Sequence, residues 1–425
     1  MMRIAIVLSL LFVTTWGAQA DWPQYLGPDR NARASEADLA RAWPEGGPKQ
    51  LWTVKMGPGF GGASVHGDEV FVLDRIAKKA DVLRCLDLAT GEEKWRFEYD
   101  APGKLSYPGS RTVPTVDDEY IWSMGAFGHL HCISRKTHEV VWKTNILEQF
   151  DAELPGWGVA QAPLIYKDLV IVAPQGERAG VVAFDKKTGE VRWMSRKLTG
   201  RPCHVSPALA NFGGVPQVVM ISPYDEEKEA YQHEVLGINV ANGEVLWTYD
   251  GLRSFATIAP PTIVDENRLF LTDGSYDGGY NPVSVMINVQ RSGDSFSTVE
   301  IFKNVKDGSK LHPPVLHDGY LYLNSGGRGE YMQCMTLEGE TLWTGAPPFS
   351  LGALISVGDL IINQNGKNGD VFLIDPSPEG YKELARAELF SARGKTPWAP
   401  LTFSDGKLIV RDNTKMICLD LKNPG

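Results

Sequence analysis

The chain has 425 residues, of which 43% are hydrophobic, and it carries a formal net charge of −10. A protein this acidic repels phosphate backbones and anionic lipid surfaces, so its charge argues against a nucleic-acid partner. After residue 20, no apolar run reaches the length of a membrane-spanning helix.

The chain begins with MMRIAIVLSLLFVTTWGAQA, in which one arginine precedes an apolar run and Ala-Gln-Ala precedes Asp21. This order is typical of a cleavable secretory signal peptide, and a buried N-terminal strand is the alternative. We therefore expect residues 1–20 to be removed and the remainder to be exported, to the periplasm or the medium. No cysteine follows the apolar run, so we expect no lipid anchor.

Residues 21–49 are rich in proline, glycine and charge. We expect them to form an N-terminal extension that wraps the outside of the following domain. A short helix is predicted within it at SEADLARAW, residues 35–43.

A strand–turn–strand phrase recurs through the rest of the chain. Residues 84–95, RCLDLATGEEKW, are followed by HCISRKTHEVVW, VAFDKKTGEVRW, LGINVANGEVLW and QCMTLEGETLW. Each phrase places a tryptophan four residues after the turn position, a fixed spacing that a β-hairpin requires because a one-residue slip moves every side chain to the other face. Short runs such as DLVIVA and GYLYLN precede the phrases and predict further strands. The closing tryptophans are Trp95, Trp142, Trp193, Trp247 and Trp343.

The ends of the chain complete the set of repeats. Two weaker copies, STVEIF and ARAELF, end at Phe302 and Phe390. The C-terminal MICLDL opens one more copy without a closing strand, and PKQLWTVKM near the start supplies a closing strand with Trp52. We therefore predict an all-β, eight-bladed β-propeller over residues 50–425, its ring closed by pairing of the N-terminal strand with the C-terminal blade. An open solenoid is the alternative.

The cysteines follow the repeat. Cys85, Cys132, Cys334 and Cys418 occupy the same position of the phrase. Equivalent strands of stacked sheets lie about 10 Å apart, whereas a disulfide needs Cα atoms within about 7 Å. We expect these four to be free thiols in the core and Cys203, in GRPCHVSP, to be exposed.

The pattern Asp/Asn-x-x-Thr/Asn-Gly-x-x-x-Trp, at 87–95, 185–193 and 239–247, resembles the tryptophan-docking motif of the quinoprotein (pyrroloquinoline quinone) dehydrogenase propellers. In that family the indole docks between adjacent blades. The resemblance covers residues 50–425, and it implies the same structural role for six tryptophans: Trp52, Trp95, Trp142, Trp193, Trp247 and Trp343.

The resemblance implies two kinds of function. The dehydrogenases of the family carry adjacent cysteines that form a disulfide ring over the quinone, and a calcium held by acidic and amide side chains. This chain has no Cys-Cys pair. A non-catalytic branch, the propeller lipoprotein of the outer-membrane β-barrel assembly machine, shares the motif and is anchored through a lipidated cysteine that is absent here.

Proline marks the loops that lead into the innermost strands, as in SRTVP, PCHVSP and KLHPP. Residues just before these prolines should converge at one end of the central channel, where a rigid scaffold presents binding residues. The ligand-binding candidates there are Arg111, Gln161, His204, Thr257, His312 and Trp398, with Trp157 of LPGWGV as a stacking platform. Alternatively, these side chains bond to neighbouring carbonyls or line a water-filled channel.

No metal site is predicted. DGSYDGGYN at 273–281 lacks the ligand alternation of an EF-hand, and we expect it to be an inter-strand turn. His233-Glu234 lacks the second histidine of a zinc protease, and no nucleophile elbow is present.

The sequence favours an exported, non-catalytic module that binds or scaffolds a protein or a small ligand at its loop face, and we expect a monomer. The alternative is an oxidoreductase dependent on pyrroloquinoline quinone and calcium. In that case Arg111 would pair with the quinone carboxylates and Trp398 would stack on its ring. The residues themselves assign no catalytic group.

Overall fold

The computed structural model of the protein describes residues 21–36, 38–198, 204–225, 232–253, 258–274, 282–325, 331–390 and 396–422. These residues form eight sheets of four antiparallel strands each, one of which gains a fifth, parallel strand, and we number them as blades 1 to 8 in chain order. A single short helix occurs in the described part, α1 (Ile146–Gln149), capped by the side chain of Asn145. Two strands precede the first blade: β1 (Arg33–Ala34) and β2 (Lys49–Lys55).

The strands of blades 1 to 4 are, in order, β3 (Ala63–His66), β4 (Glu69–Ile76), β5 (Ala80–Asp87), β6 (Glu93–Asp100); β7 (Thr115–Val116), β8 (Tyr120–Met124), β9 (His129–Ser134), β10 (Val140–Asn145); β11 (Leu164–Tyr166), β12 (Leu169–Val172), β13 (Val182–Asp185), β14 (Val191–Met194); and β15 (Ala208–Phe212), β16 (Val215–Asp225), β17 (Gln232–Asn239), β18 (Val245–Arg253).

The strands of blades 5 to 8 are β19 (Thr262–Ile263), β20 (Arg268–Asp273), β21 (Val283–Ser292), β22 (Ser295–Asn304); β23 (Val315–His317), β24 (Tyr320–Ser325), β25 (Tyr331–Met335), β26 (Thr341–Pro348); β27 (Leu354–Val357), β28 (Leu360–Gln364), β29 (Val371–Ile374), β30 (Glu383–Ala387); and β31 (Thr402–Ser404), β32 (Lys407–Arg411), β33 (Lys415–Asp420) with β2.

The first strand of each blade lies closest to the central axis. First strands of neighbouring blades contact each other, as β3 does with both β7 and β31. Burial follows this order: β4 is buried along nearly its whole length, whereas β6 alternates between partly buried and exposed residues. Inner strands therefore read as continuous apolar runs, and outer strands show the period of two that one solvated face imposes.

The ring closes as the sequence predicts. Strand β2 pairs antiparallel with β33, and Trp52 lies opposite Cys418. The buried Arg411 side chain adds a second connection from blade 8 to blade 1, because its guanidinium donates to the Gly61 carbonyl (2.9 Å) and the Leu73 carbonyl (3.1 Å). The predicted eight-bladed propeller is confirmed, and the four cysteines of the repeat are confirmed as free and buried.

The repeated tryptophans connect one blade to the next. The Trp52 indole donates to the Leu88 carbonyl of blade 1 at 2.9 Å, and it packs against Gly91, where an added Cβ would lie 2.8 Å from the ring. Gly91 has a φ of +73°, which favours glycine. The indole donors of three other tryptophans reach carbonyls of the following blade at Lys186, Val240 and Ser377; these are Trp142, Trp193 and Trp343.

Two tryptophans depart from this pattern. Trp95 stacks on the His138 ring at 4.4 Å, and its indole nitrogen is buried without a described partner. Trp247 donates to the Gln217 side chain of its own blade at 2.6 Å. In blade 7 the prediction of Phe390 as the closing aromatic is wrong, because Ala385 of β30 takes the position opposite Leu373.

The first part of the N-terminal extension lies inside the ring and does not wrap the outside. Residues 22–34, here called the channel segment, contact the first strands of several blades around the axis. Trp22 bridges Val65 of β3, the Pro23 carbonyl accepts from the Val116 amide of β7, and β1 pairs in parallel with β27. Only a segment inside the central channel can contact the innermost strands of blades 1, 2 and 7 together.

The chain leaves the channel towards blade 8, where the Glu36 carboxylate accepts from the amides of Asp405 and Gly406 in the β31–β32 turn. The described residues among 35–43 form no helix, so the predicted helix is wrong. Within the described part, no helix has both the length and the apolar character needed to cross a membrane.

Candidate functional site

A cavity of about 410 Å³ lies at the end of the channel where the first strands begin. We call it the axial cavity. Its wall includes four residues that each lie two positions before the first strand of a blade: Val113, Ala162, Ser206 and Pro400. Tyr25 of the channel segment also lines it. The cavity is therefore built jointly by the loops of the ring and by the N-terminal extension.

Most of the sequence-predicted candidates lie around this cavity, namely Arg111, Trp157, His204, His312 and Trp398. Gln161 does not, because its buried amide group is bonded to the Ala173 backbone, donating to the carbonyl and accepting from the amide, each at 2.6 Å. For Gln161 the structure therefore shows the alternative expectation, a hydrogen bond to a neighbouring carbonyl. Thr257 and Cys203 lie outside the described residues, as does most of the 273–281 turn. A binding role for the five cavity residues remains a prediction.

Aromatic rings form two stacked pairs along the wall. Phe60 and Trp398 stack with ring centroids 5.6 Å apart at an interplanar angle of 26°. Trp157 and His204 stack at 4.8 Å and 22°. Tyr107 lies between the pairs, 6.0 Å from Trp398 and 6.4 Å from Trp157. Flat faces arranged in this way suit a planar apolar ligand.

Arg111 is held in place by its own loop. Its guanidinium donates to the Gly109 carbonyl at 2.6 Å and to the Tyr107 carbonyl, and it lies 5.8 Å from the centroid of Phe60. Burial, together with the nearby Arg75 charge, lowers the pKa of Arg111 to about 10. The group is still a cation at neutral pH. Lys310 is a second basic residue of the cavity wall.

The two histidines are neutral at pH 7. His204 Nδ1 lies 3.1 Å from the Gly158 carbonyl, and His312 Nε2 lies 3.1 Å from the Trp398 carbonyl. A carbonyl can only accept, so each of these nitrogens carries the proton. Burial lowers the pKa of each ring to about 4. The remaining nitrogen of His312, Nδ1, is buried without a described partner.

Sequence reasoning missed Tyr25, Phe60, Tyr107 and Lys310. Phe60 lies in the loop before β3, where GPGFGG carries no proline next to the strand. Lys310 lies two residues before His312 and could have been found by widening the same search. Tyr25 had no signal, because only the folded chain brings the extension into the channel.

The described wall does not suit calcium. No aspartate or glutamate is among its residues, and the described part of the chain contains no cluster of three or more His, Cys, Asp or Glu side chains able to hold a metal. Calcium takes carboxylate and carbonyl oxygens. An aromatic molecule that carries acidic groups does suit the wall, because stacking faces and basic side chains are both present.

The chain is similar to known proteins in sequence and in fold. A family model described as "Outer membrane protein assembly factor BamB" matches residues 78–345. The fold is similar to BamB from Moraxella catarrhalis, with a TM-score of 0.59 and 13% identity, covering 88% of this chain and 99% of that one. It is also similar to quinohemoprotein alcohol dehydrogenase from Comamonas testosteroni, with a TM-score of 0.63 and 13% identity, covering 96% of this chain and 81% of that one.

A curated relative matches a smaller part of the chain. The dehydrogenase subunit of the quinone alcohol dehydrogenase from Komagataeibacter europaeus is 32% identical over 124 residues, which is 26% of this chain. The chain thus spans 16% of the length of that protein.

Proposed function

The chain belongs to the family described as outer membrane protein assembly factor BamB, and from this premise we propose that it is an exported, non-catalytic propeller that binds a small aromatic anion in the axial cavity. The family match and the shared propeller fold confirm the resemblance seen in the tryptophan motif. The ligand, its class and the export are our proposals.

The character of the cavity wall carries the proposal. Stacked aromatic rings and the cations Arg111 and Lys310 line it, and its described residues include no carboxylate. The whole chain, by contrast, has a net charge of −10. A basic cleft with low-dielectric walls concentrates anions locally, even in an acidic protein. The cavity volume of about 410 Å³ lies in the range of small-molecule sites, roughly 300–1,000 Å³.

The described groups favour binding over catalysis. An efficient general base has a pKa near the working pH. Burial instead lowers the pKa of both His204 and His312 to about 4, and both rings are bonded to backbone carbonyls. These histidines therefore hold neighbouring loops in place. The interactions left for a ligand in the cavity are ring stacking and charge attraction.

The test compares two fluorescent probes, anilinonaphthalene sulfonate and N-phenylnaphthylamine, which share their rings and differ in the acidic group. We expect the sulfonate to bind saturably and more tightly. Arg111→Gln should weaken sulfonate binding by about tenfold, since it removes a charge-assisted contact, and should leave the uncharged probe unchanged. Arg192→Gln, on the exposed strand β14, is the matched control. Equal affinities for the two probes, or the absence of saturable sulfonate binding, would overturn the proposal.

A quinone-dependent oxidoreductase is the second candidate. It is favoured by the stacked Phe60–Trp398 face beside Arg111, because pyrroloquinoline quinone is itself a planar molecule with carboxylates. The structurally similar alcohol dehydrogenase is named as a quinohemoprotein. The two functions can be separated by titrating the protein with the quinone, with and without calcium. After each addition an alcohol and a redox dye are supplied, and reduction of the dye is measured. The proposed binding module takes up the quinone without calcium and reduces no dye. Calcium-dependent dye reduction would establish the enzyme.

Export is proposed from the leader-like residues 1–20. Export can be tested by expressing the full chain in a Gram-negative bacterium, fractionating the cells and sequencing the N-terminus of the protein. We expect the mature protein in the periplasmic fraction, starting at Asp21. A cytoplasmic protein that retains Met1 would contradict export. It would not bear on ligand binding, which the fluorescent probes test separately.

A further inference from the structure

The channel segment forms the floor of the axial cavity. It contacts the first strands of blades 1, 2 and 7 through Trp22, Pro23 and β1, and so fills the channel below the cavity. Tyr25 is the residue of this segment that lines the cavity. The channel segment therefore bounds the cavity at Tyr25, and the other lining residues come from the ring.

Tyr25 carries the hydroxyl that the channel segment can offer to a ligand. The residue lines the cavity and is only partly buried, and its hydroxyl has no hydrogen-bond partner among the described residues. Burial raises the pKa of Tyr25 above its usual value. The hydroxyl is thus protonated at neutral pH and can donate a hydrogen bond.

A cation lies next to this tyrosine. The Arg30 guanidinium is 6.0 Å from the centroid of the Tyr25 ring, and it donates to the carbonyls of Pro163 and Pro207, each at 3.2 Å, and to the Gln24 side chain at 3.3 Å. No described carboxylate pairs with it. Burial lowers the pKa of Arg30 to about 10, so it is charged at pH 7. The floor therefore offers the Tyr25 hydroxyl as a donor, and the Arg30 charge lies behind that ring, outside the residues that line the cavity.

Resting on the proposed function, we infer that the channel segment is part of the binding site and that the axial cavity takes an aromatic ligand with two acidic groups. One group lies at Arg111 of the wall, and the other accepts a hydrogen bond from the Tyr25 hydroxyl, whose ring lies 6.0 Å from the Arg30 guanidinium. Arg111 and Lys310 line the cavity and Arg30 lies behind the Tyr25 ring, so positive charge is present at more than one position, which favours two acidic groups over one. The N-terminal extension thereby contributes to the specificity of the site.

The experiment compares naphthalene monosulfonate with naphthalene disulfonate by calorimetry on the full mature chain. We expect the wild type to prefer the disulfonate by about tenfold, the effect of one hydrogen bond to a charged group. Tyr25→Phe should abolish most of that preference and leave monosulfonate affinity unchanged. Tyr166→Phe, a partly buried tyrosine on β11 away from the cavity wall, is the control for loss of a hydroxyl.

Tyr25→Phe is conservative, and hydrogen exchange shows whether the segment stays in place in this variant. The amides of Ser356 and Gly358 donate to carbonyls of residues 32 and 34 at 2.9 Å and should remain protected. A retained disulfonate preference in Tyr25→Phe overturns the floor assignment and leaves the proposed function intact. Failure of the wild type to bind either sulfonate overturns both.

Discussion

Substituting Gly91 by alanine tests the contact between the ring-closing strand and the first blade. The new Cβ would lie 2.8 Å from Cγ and Cδ2 of the Trp52 indole, which is 6% exposed. The indole would have to move away and weaken its 2.9 Å bond to the Leu88 carbonyl. Gly293→Ala is the matched control, because Gly293 has a φ of +61° and an added Cβ there meets nothing within 4 Å.

The magnitude follows from these two sites. A left-handed conformation costs a non-glycine residue about 1–2 kcal/mol, and this applies to both variants. Overpacking adds about 1–3 kcal/mol, and a weakened hydrogen bond adds about 1 kcal/mol, at position 91 alone. We therefore expect Gly91→Ala to lower the free energy of unfolding by about 2–4 kcal/mol more than Gly293→Ala.

Urea unfolding followed by circular dichroism measures both variants, with the midpoint and the slope compared to the wild type. A lower midpoint at unchanged slope reports a loss of stability. Equal midpoints for Gly91→Ala and Gly293→Ala would show instead that the indole contact adds nothing to closure of the ring.

Three further predictions concern indole hydrogen bonds, pH and the buried arginine. Trp193→Phe should destabilise the protein by about 1 kcal/mol more than Trp95→Phe in urea unfolding, because only the Trp193 indole donates to the next blade. The free energy of unfolding should fall as the pH drops from 6.5 towards 4, since the pKa of buried His312 is lowered from 6.5 to about 4 and the unfolded chain takes up the proton first. His312→Gln should reduce that fall by about 3 kcal/mol. Arg411→Met should cost about 3–5 kcal/mol, and Arg192→Met, in an exposed ion pair, less than about 1 kcal/mol.

Each of these has a contrary result. Equal losses for the two tryptophan variants would mean that the indole donor is unimportant for docking. An identical pH profile for wild type and His312→Gln would mean that His312 can be protonated in the folded state. Equal losses for the two arginine variants would show that the Arg411 contacts to blade 1 do not support ring closure.

The blades could be predicted because their signal is local. The turn and the tryptophan of each phrase lie within one hairpin, so spacing alone fixes the register. The split repeat likewise predicts the pairing of Trp52 with Cys418. The pattern gave a wrong prediction for blade 7. The turn before β30 is longer there, so Ala385 takes the closing position and Phe390 lies beyond the end of the strand.

The channel segment could not be predicted, because its contacts are all distant in sequence. Trp22 with Val65 and Arg30 with the carbonyl of Pro207 leave no periodic trace in residues 21–49. The cavity was partly predictable, since the loops before the first strands converge whatever their sequence. The direction of each side chain was not, as Gln161 shows by bonding to the backbone of Ala173 while residues at similar positions line the cavity.

The most direct measurement is a crystal structure of the mature protein soaked with anilinonaphthalene sulfonate. We expect the naphthalene ring inside the axial cavity, stacked on the wall formed by Trp398, Phe60 and Trp157, with the sulfonate on a basic group of that wall. Probe molecules found only on the outer strands, for example at the exposed Val299 and Ile301 of β22, with none in the cavity, would contradict it.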